Sequence, residues 1–250
     1  IYFPISVMNQ LRRDALEKMK KACLKQEMLV ENEYHYVPQK SKTSFDLFEI
    51  NSMNQKVDDS SCYVSEMFNG NQILEKSNIT SVDGFVNAHL GKGKIVDSLN
   101  VSNSYSVAAI LEMGYESCVL SDECDKYQVE ALMKVFLNRY HFDAQVYKTL
   151  YQKRRLMTMK HCPVNTALKD GKRVGCGLCH SHRYELEGLD GKRVFLLGDK
   201  DCHMRLYDVN IMDEIENRKE YESYGIKHFR FVFTDENKEE VKTAFRAYNR

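Results

Sequence analysis

The chain has 250 residues, of which 43% are hydrophobic and 29% charged, so it is neither disordered nor collagen-like and can bury a sizeable core. Its 36 basic residues balance its 36 acidic residues, which excludes a protein that binds polyanions over its whole surface. No apolar run reaches the roughly 20 residues of a membrane span, and no segment reads as a signal peptide. We therefore expect a cytoplasmic protein without a membrane partner and, because the chain begins at Ile1, a part of a longer protein.

The first 42 residues are predicted to form a long helix and a linker. Apolar residues recur at helical spacing from Val7 to Leu29, and Ser6 can cap the start of this helix. Residues 31–42 are polar, contain Pro38 and lose the periodicity, which is typical of a linker. Residues 43–250 are then expected to form the main module.

The main module is predicted to begin with alternating strands and helices. Strands are indicated over residues 45–50, 63–67, 82–86, 95–101, 118–120, 144–151 and 156–159. Helices are indicated over residues 104–113, before Gly114, and over about 123–138, with Ser121 as the cap. Strands and helices that alternate at these lengths indicate βα units, and therefore an α/β fold with a parallel sheet.

The segment of residues 161–208 differs, because it is rich in glycine, lacks periodicity and contains four of the eight cysteines. We expect it to consist largely of loops. The chain then closes with a predicted helix over residues 210–221, a strand over 229–233 and a helix over 235–247 that Thr234 caps.

The four cysteines of that segment follow the spacing Cys-x13-Cys-x2-Cys-x22-Cys: Cys162, Cys176, Cys179 and Cys202. A Cys-x2-Cys turn brings two thiolates to one side of a tight loop, and the glycines beside it let the backbone approach a metal. Without a secretory signal, clustered cysteines indicate metal or redox chemistry rather than disulfides. The spacing suits either structural zinc or an iron–sulfur cluster, and nearby histidines could replace a cysteine as ligand: His161, His180, His182 and His203. The other cysteines are interpreted as core residues: Cys23, Cys62, Cys118 and Cys124.

A basic tract precedes the cysteines. Residues 144–168 contain no acidic residue but include five cations, Lys148, Lys153, Arg154, Arg155 and Lys160, with Tyr147 and Tyr151 interleaved. Cations beside aromatic rings are typical of a nucleic-acid surface, where they bind phosphates and stack on bases. A solvated basic face is the alternative.

Two asparagines mark a second candidate site. Asn100 and Asn103 lie at the end of the predicted strand over residues 95–101, where parallel-sheet enzymes carry their polar site residues. Helix capping would explain Asn103 equally well. No hydrolytic motif is present in the sequence, so no catalytic residue is predicted.

The run Leu156-Met157-Thr158-Met159-Lys160-His161-Cys162-Pro163 resembles a segment of the collagenase-like peptidase family, peptidase family U-32. The resemblance continues through Cys176-x2-Cys179, Tyr184-x-Leu186, Gly191 and Cys202, and through residues 229–236 near the end of the chain. The chain departs from the family pattern where Tyr151-Gln152-Lys153 replaces Y-G-R and where His203 replaces an arginine.

The resemblance implies the C-terminal portion of a long U-32 member, in which residues 1–42 end an inserted domain and the N-terminal part of the same protein is a partner. It implies a partial or irregular (β/α) barrel-like parallel sheet. It also implies that Cys162, Cys176, Cys179 and Cys202 hold a 4Fe-4S cluster within residues 161–208, which zinc could replace and which aerobic preparation could remove.

The function expected from this resemblance is the hydroxylation of tRNA or rRNA, since several relatives are oxygen-independent hydroxylases. The basic tract, with Asn100 and Asn103, would then contact the RNA. Two alternatives remain open: a collagenase-like protease or hydrolase with a structural or catalytic metal, and a non-catalytic half that binds RNA or a protein partner.

Overall fold

The computed structural model describes residues 5–23, 35–40, 46–50, 57, 62–65, 72–73, 81–83, 95–169, 171, 176–198 and 204–250. The chain divides into two compact units, Ile1–His35 and Tyr36–Arg250. In the first unit, helix α1 (Ile5–Cys23) exposes the apolar side chains of Val7, Leu11 and Met19. The predicted continuation of this helix to Leu29 lies outside the described residues.

The second unit is a mixed α/β structure built on one open sheet. Its strands are β1 (Leu47–Ile50), β2 (Cys62–Ser65), β3 (Gln72–Ile73), β4 (Ser81–Asp83), β5 (Ile95–Val101), β6 (Ser117–Leu120), β7 (Val146–Met159), β8 (Tyr184–Glu187), β9 (Arg193–Gly198), β10 (Met204–Asp213) and β11 (His228–Phe233). Its helices are α2 (Ser104–Glu112), α3 (Lys126–Tyr140), α4 (Pro163–Lys169), α5 (Leu178–Ser181), α6 (Arg218–Ser223) and α7 (Lys238–Tyr248), with a 3-10 turn at Ile215–Asn217.

Most of the sheet is parallel, as the alternating pattern predicts. The parallel strands lie in the order β2-β1-β11-β7-β6-β5-β4, and β3 joins β2 in antiparallel orientation. Strand β11, the last in the chain, therefore pairs with β1, the first. Within the described residues no pairing joins β2 to β4, so the sheet is open there.

Strand β7 connects this parallel part to an antiparallel extension. Its first residues pair with β6 and β11, whereas Tyr151 to Met159 pair with β10, which is followed by β9 and β8. The cysteine segment lies on this extension, because α4 begins four residues after Met159 and α5 precedes β8. One strand thus carries both the basic tract and the entry to the cysteines.

The two faces of the sheet bury different residues. One face packs against α2, α3 and α7 in the main core, which also contains Cys118 and Cys124, as the core interpretation of these cysteines predicts. Leu47, Ile95, Val119 and Tyr147 form a smaller apolar cluster with one member from each of β1, β5, β6 and β7. Among the described residues, no helix combines the length and apolarity needed to cross a membrane.

Several sequence predictions of secondary structure are corrected. The segment predicted as loop contains β8 to β10, and residues 210–213 continue β10 instead of starting a helix, because they pair with β7. The polar residues 152–155 do not interrupt β7, since β10 also satisfies their backbone. Helices α3 and α7 are capped by Asp125 and Asn237, each in a capping box, rather than by Ser121 and Thr234.

Candidate functional site

A polar pocket of about 440 Å³ opens where the parallel strands end. Residues from the ends of β5 and β6 and from β1, β7 and β11 line it, including Glu49, Asn100, Asp122, Arg155 and Arg230. Ligands in α/β sheets bind at this edge, because the loops that follow the strands can vary without disturbing the core. The position supports a substrate site.

A buried ion pair forms part of the pocket wall. The Nε atom of Arg230 donates to Oε1 of Glu49 over 2.6 Å and its Nη2 atom donates to Oε2 over 2.9 Å. The two side chains are only 7% and 4% exposed, so this bidentate contact replaces the water that both charges lose. It also joins β11 to β1, the last parallel strand to the first.

A second ionic network lies beside it. Lys153 donates to Asp235 and lies 3.3 Å from Oε1 of Glu236, while Arg183 binds the other oxygen of Asp235. Burial opposes the charge on Lys153, but the two carboxylates outweigh it and raise the pKa of Lys153. Burial raises the pKa of Glu236, and the neighbouring Lys153 counteracts this only partly. Since Arg183 follows α5, Asp235 links the pocket to the cysteine segment.

The two asparagines predicted as site residues differ in role. Asn100, at φ +51°, lies in the pocket and accepts a hydrogen bond from the Ser121 hydroxyl, which itself accepts from the N–H of Glu123 over 3.2 Å. Its left-handed backbone is one that asparagine tolerates better than most residues. Asn103 instead caps α2 by accepting from the N–H of Ser106 over 2.9 Å. The capping explanation of Asn103 is confirmed.

The residues of the basic tract differ in their exposure to solvent: the first are buried and several of the later ones are exposed. Tyr147, Lys148 and Tyr151 are 0%, 1% and 6% exposed, and Lys148 lies 3.4 Å from a carboxylate oxygen of Glu214. Rings and cations at this depth cannot stack on bases or reach phosphates, so their predicted contact with RNA does not agree with this structure. Of the tract, Lys153, Arg154 and Arg155 line the pocket, and Arg154 and Lys160 are exposed.

Cys162 and Cys176 both accept a hydrogen bond from one buried asparagine. Asn165, which is 2% exposed on α4, donates from its backbone N–H to the sulfur of Cys162 over 3.3 Å. Its side-chain Nδ2 donates to the sulfur of Cys176 over 3.1 Å. The backbone N–H of Leu178 and the Asn165 amide lower the pKa of Cys176, so these donors favour the thiolate that binds metals.

Cys179 packs against the sheet. The turn from Cys176 reaches it through Gly177, whose φ of +57° suits a residue without a side chain. A Cβ atom at Gly198 on β9 would lie 2.8 Å from the Cys179 sulfur and 2.9 Å from the Met204 sulfur. Cys162 and Cys179 both border the apolar cluster of Val164, Leu196 and Met204.

Part of the predicted metal site lies outside the described residues, namely Cys202 and His203, and the side chain of His180 is also not described. In the ranges that the structure describes, no group of three or more histidine, cysteine or acidic side chains stands at metal-binding separation. His161 and His182, which lie in the cysteine segment, are exposed. Asn165 thus contacts the sulfurs of both Cys162 and Cys176. Cys179 packs against the same apolar side chains as Cys162.

Most of the residues that line the pocket were not predicted as site residues from the sequence, among them Glu49, Gln152, Tyr207 and Arg230. Glu49 and Arg230 did carry a signal, because each is a single charge within a short apolar strand, Leu-Phe-Glu-Ile and Phe-Arg-Phe-Val-Phe. Comparison with protein-family models, with curated proteins and with solved structures gives no match for this chain.

Proposed function

We propose that this chain is part of a U-32-like enzyme that holds a 4Fe-4S cluster on Cys162, Cys176, Cys179 and Cys202 and hydroxylates a tRNA or rRNA. The observation that carries the proposal is the pair of hydrogen bonds from Asn165 to the sulfurs of Cys162 and Cys176. A neutral thiol is a weak acceptor, so a buried amide directed at one suits a site for thiolate ligands.

The hydrogen bonds at Cys162 and Cys176 are those that suit metal-bound thiolates. Hydrogen-bond donors contact two of the four sulfurs, and the N–H of Leu178 and the amide of Asn165 lower the pKa of Cys176, which favours the thiolate form that binds metals. When bound, a cluster would supply electron transfer or Lewis-acid chemistry. The chain's own residues would ligate the cluster, exclude water through Val164, Leu196 and Met204, and hold the substrate in the strand-end pocket.

A barrel-like closure of the parallel strands belongs to the same proposal. The pairing of β11 with β1, and the lining of one pocket by five parallel strands, favour a sheet that curves around the pocket. The substrate would then enter at the rim that Asn100 and Ser121 form.

Strand β7 supports the RNA part of the proposal. Arg155 lines the pocket. Met159, four residues further along β7, packs against the same apolar cluster as Cys162. At about 3.3 Å per residue, roughly 13 Å of strand separates the two positions. An RNA strand bound along Arg154, Arg155 and Lys160 would therefore span the distance from the pocket to the cysteines.

Metal analysis tests the cluster. Chain purified without oxygen is expected to contain about four irons and four sulfides, and Cys→Ser at position 162, 176, 179 or 202 is expected to lower both. Cys124→Ser serves as the control, since Cys124 is buried in the main core. Zinc without iron and sulfide would contradict the cluster and favour the hydrolase or the non-catalytic alternative.

RNA binding tests the surface. The triple change of Arg154, Arg155 and Lys160 to Glu is expected to weaken tRNA or rRNA binding and to reduce its salt dependence, because phosphate contacts are lost. The matched control changes three exposed cations elsewhere, Lys134, Lys238 and Arg246, to Glu. Equal losses in both triple variants would show that only the total charge matters, and would reject this surface.

A further inference from the structure

Asn165 is an unusual residue to find at this depth. Asparagine is mostly exposed in proteins, and a buried one must be hydrogen-bonded to offset the loss of water. Asn165 is 2% exposed and uses its side-chain amide on the sulfur of Cys176 and its backbone N–H on the sulfur of Cys162. Two donors of one residue thus reach two sulfurs that belong to different loops.

We propose that Asn165 is a positioning residue of the cysteine site, which sets the distance between the Cys162 and Cys176 sulfurs and stabilises both as metal-bound thiolates. This inference rests on the proposed function. Helix α4 fixes Asn165 because its backbone carbonyl accepts from the N–H of Gly171 over 3.3 Å and because Val164 is buried in the adjoining cluster. The amide therefore has a fixed place from which to hold the second cysteine of the pair, Cys176.

A residue that donates hydrogen bonds to metal ligands affects the metal affinity of the site and the reduction potential of a bound cluster. Partners of this kind typically change metal affinity by about 10–100-fold when they are removed. Donors to cluster sulfurs also favour the more reduced cluster, because they offset its extra negative charge. Loss of the Asn165 amide is thus expected to weaken metal binding and to lower the reduction potential of a bound cluster.

The test uses Co²⁺ as probe, in apo chain prepared without oxygen, with the thiolate-to-metal charge-transfer band as readout. Asn165→Ala is expected to bind Co²⁺ about 10–100-fold more weakly than the wild type, with a shifted band. Asn165→Asp keeps the shape of the side chain and the backbone donor, so it serves as the second variant if the alanine variant does not fold. It is also expected to bind more weakly, since it lacks the amide donor to Cys176.

The matched control is Thr166→Ala, the next residue of α4. The Thr166 hydroxyl donates to the carbonyl of Cys162 over 3.1 Å, so it contacts the same residue but no sulfur. Thr166→Ala is expected to retain the affinity and band of the wild type. Asn165 variants that fold and bind Co²⁺ as the wild type does would overturn the inference alone. A wild type without any thiolate band would overturn the proposed function and the inference with it.

Discussion

At Gly198 the side chain of Cys179 packs directly on strand β9. The two sulfur atoms that a Cβ would meet belong to Cys179 and to Met204, which is fully buried. The glycine is therefore required by close approach rather than by backbone conformation. In sequence it resembles any other glycine of a loop-rich segment, so its role depends on the position of β9 beside α5.

Gly198→Ala is expected to destabilise the fold by about 1–3 kcal/mol, because the added methyl group forces the Cys179 side chain to move. Urea unfolding measures this loss, and alkylation rates measure the altered accessibility of the Cys179 thiol. Adding Cys179→Ala to the variant is expected to recover part of the stability, since it removes the nearer sulfur. Full stability and unchanged alkylation in Gly198→Ala would contradict the packing described for this position.

Single residues were predictable where their chemistry has a fixed spacing. The cysteine spacing and the position of Asn100 at the end of a strand could be read directly from the sequence, and both lie at candidate sites. The pairing of Glu49 with Arg230 could not, because it joins residues 181 positions apart. Likewise, the tract of Tyr147 to Lys160 looked uniformly basic, although its first half is buried by neighbouring strands.

Among the secondary-structure elements, strand β7 was only partly predictable from the sequence, for the same reason. Gln152 to Arg155 are polar enough to suggest a break, yet their backbone continues into the ladder with β10. Local propensity predicted the βα units well, since each of those strands is followed by the helix that covers it. The antiparallel extension was missed because its pairing partners are distant in sequence.

The ion pair between β1 and β11 predicts a specific pattern of stabilities. Arg230→Met is expected to lower the free energy of unfolding by about 3–5 kcal/mol, because the buried Glu49 carboxylate loses the guanidinium of Arg230. Adding Glu49→Met is expected to restore most of this loss. Lys227→Met is the matched control, since its ion pair with Asp143 is exposed and is expected to contribute about 1 kcal/mol or less.

Urea unfolding of these variants measures the pattern. A small effect of Arg230→Met, similar to that of Lys227→Met, would mean that water reaches the pair and that it does not act as a buried unit. Unchanged stability in Arg230→Met would contradict a structural role for the pair and leave it a role in substrate binding alone.

For the whole molecule, buried phenols predict how stability depends on pH. Burial raises the pKa of Tyr151, Tyr221 and Tyr248, and hydrogen bonds to Glu214 and Asp46 add to this for Tyr221 and Tyr248. The unfolded chain loses these protons near pH 10, about the ordinary tyrosine pKa, whereas the folded chain keeps them. Stability is therefore expected to hold below about pH 10 and to fall as the pH rises further.

Urea unfolding at a series of alkaline pH values measures this dependence, and the ultraviolet absorbance of tyrosinate reports the ionisation. Tyr248→Phe is expected to make the decline shallower. Tyr127→Phe is the control, because Tyr127 is 69% exposed, and it is expected to leave the decline unchanged. Stability that stays constant well above pH 10 would contradict this prediction.

The pairing of β11 with β1 also affects how the chain folds while it is being synthesised. Ribosomes add about 5–20 residues per second, so roughly 10–40 s pass between the synthesis of Glu49 and that of Arg230. During that time the β1 edge that pairs with β11 in the folded protein is open, and an open strand edge favours association with other chains. We therefore expect the nascent chain to depend on chaperones until β11 is made.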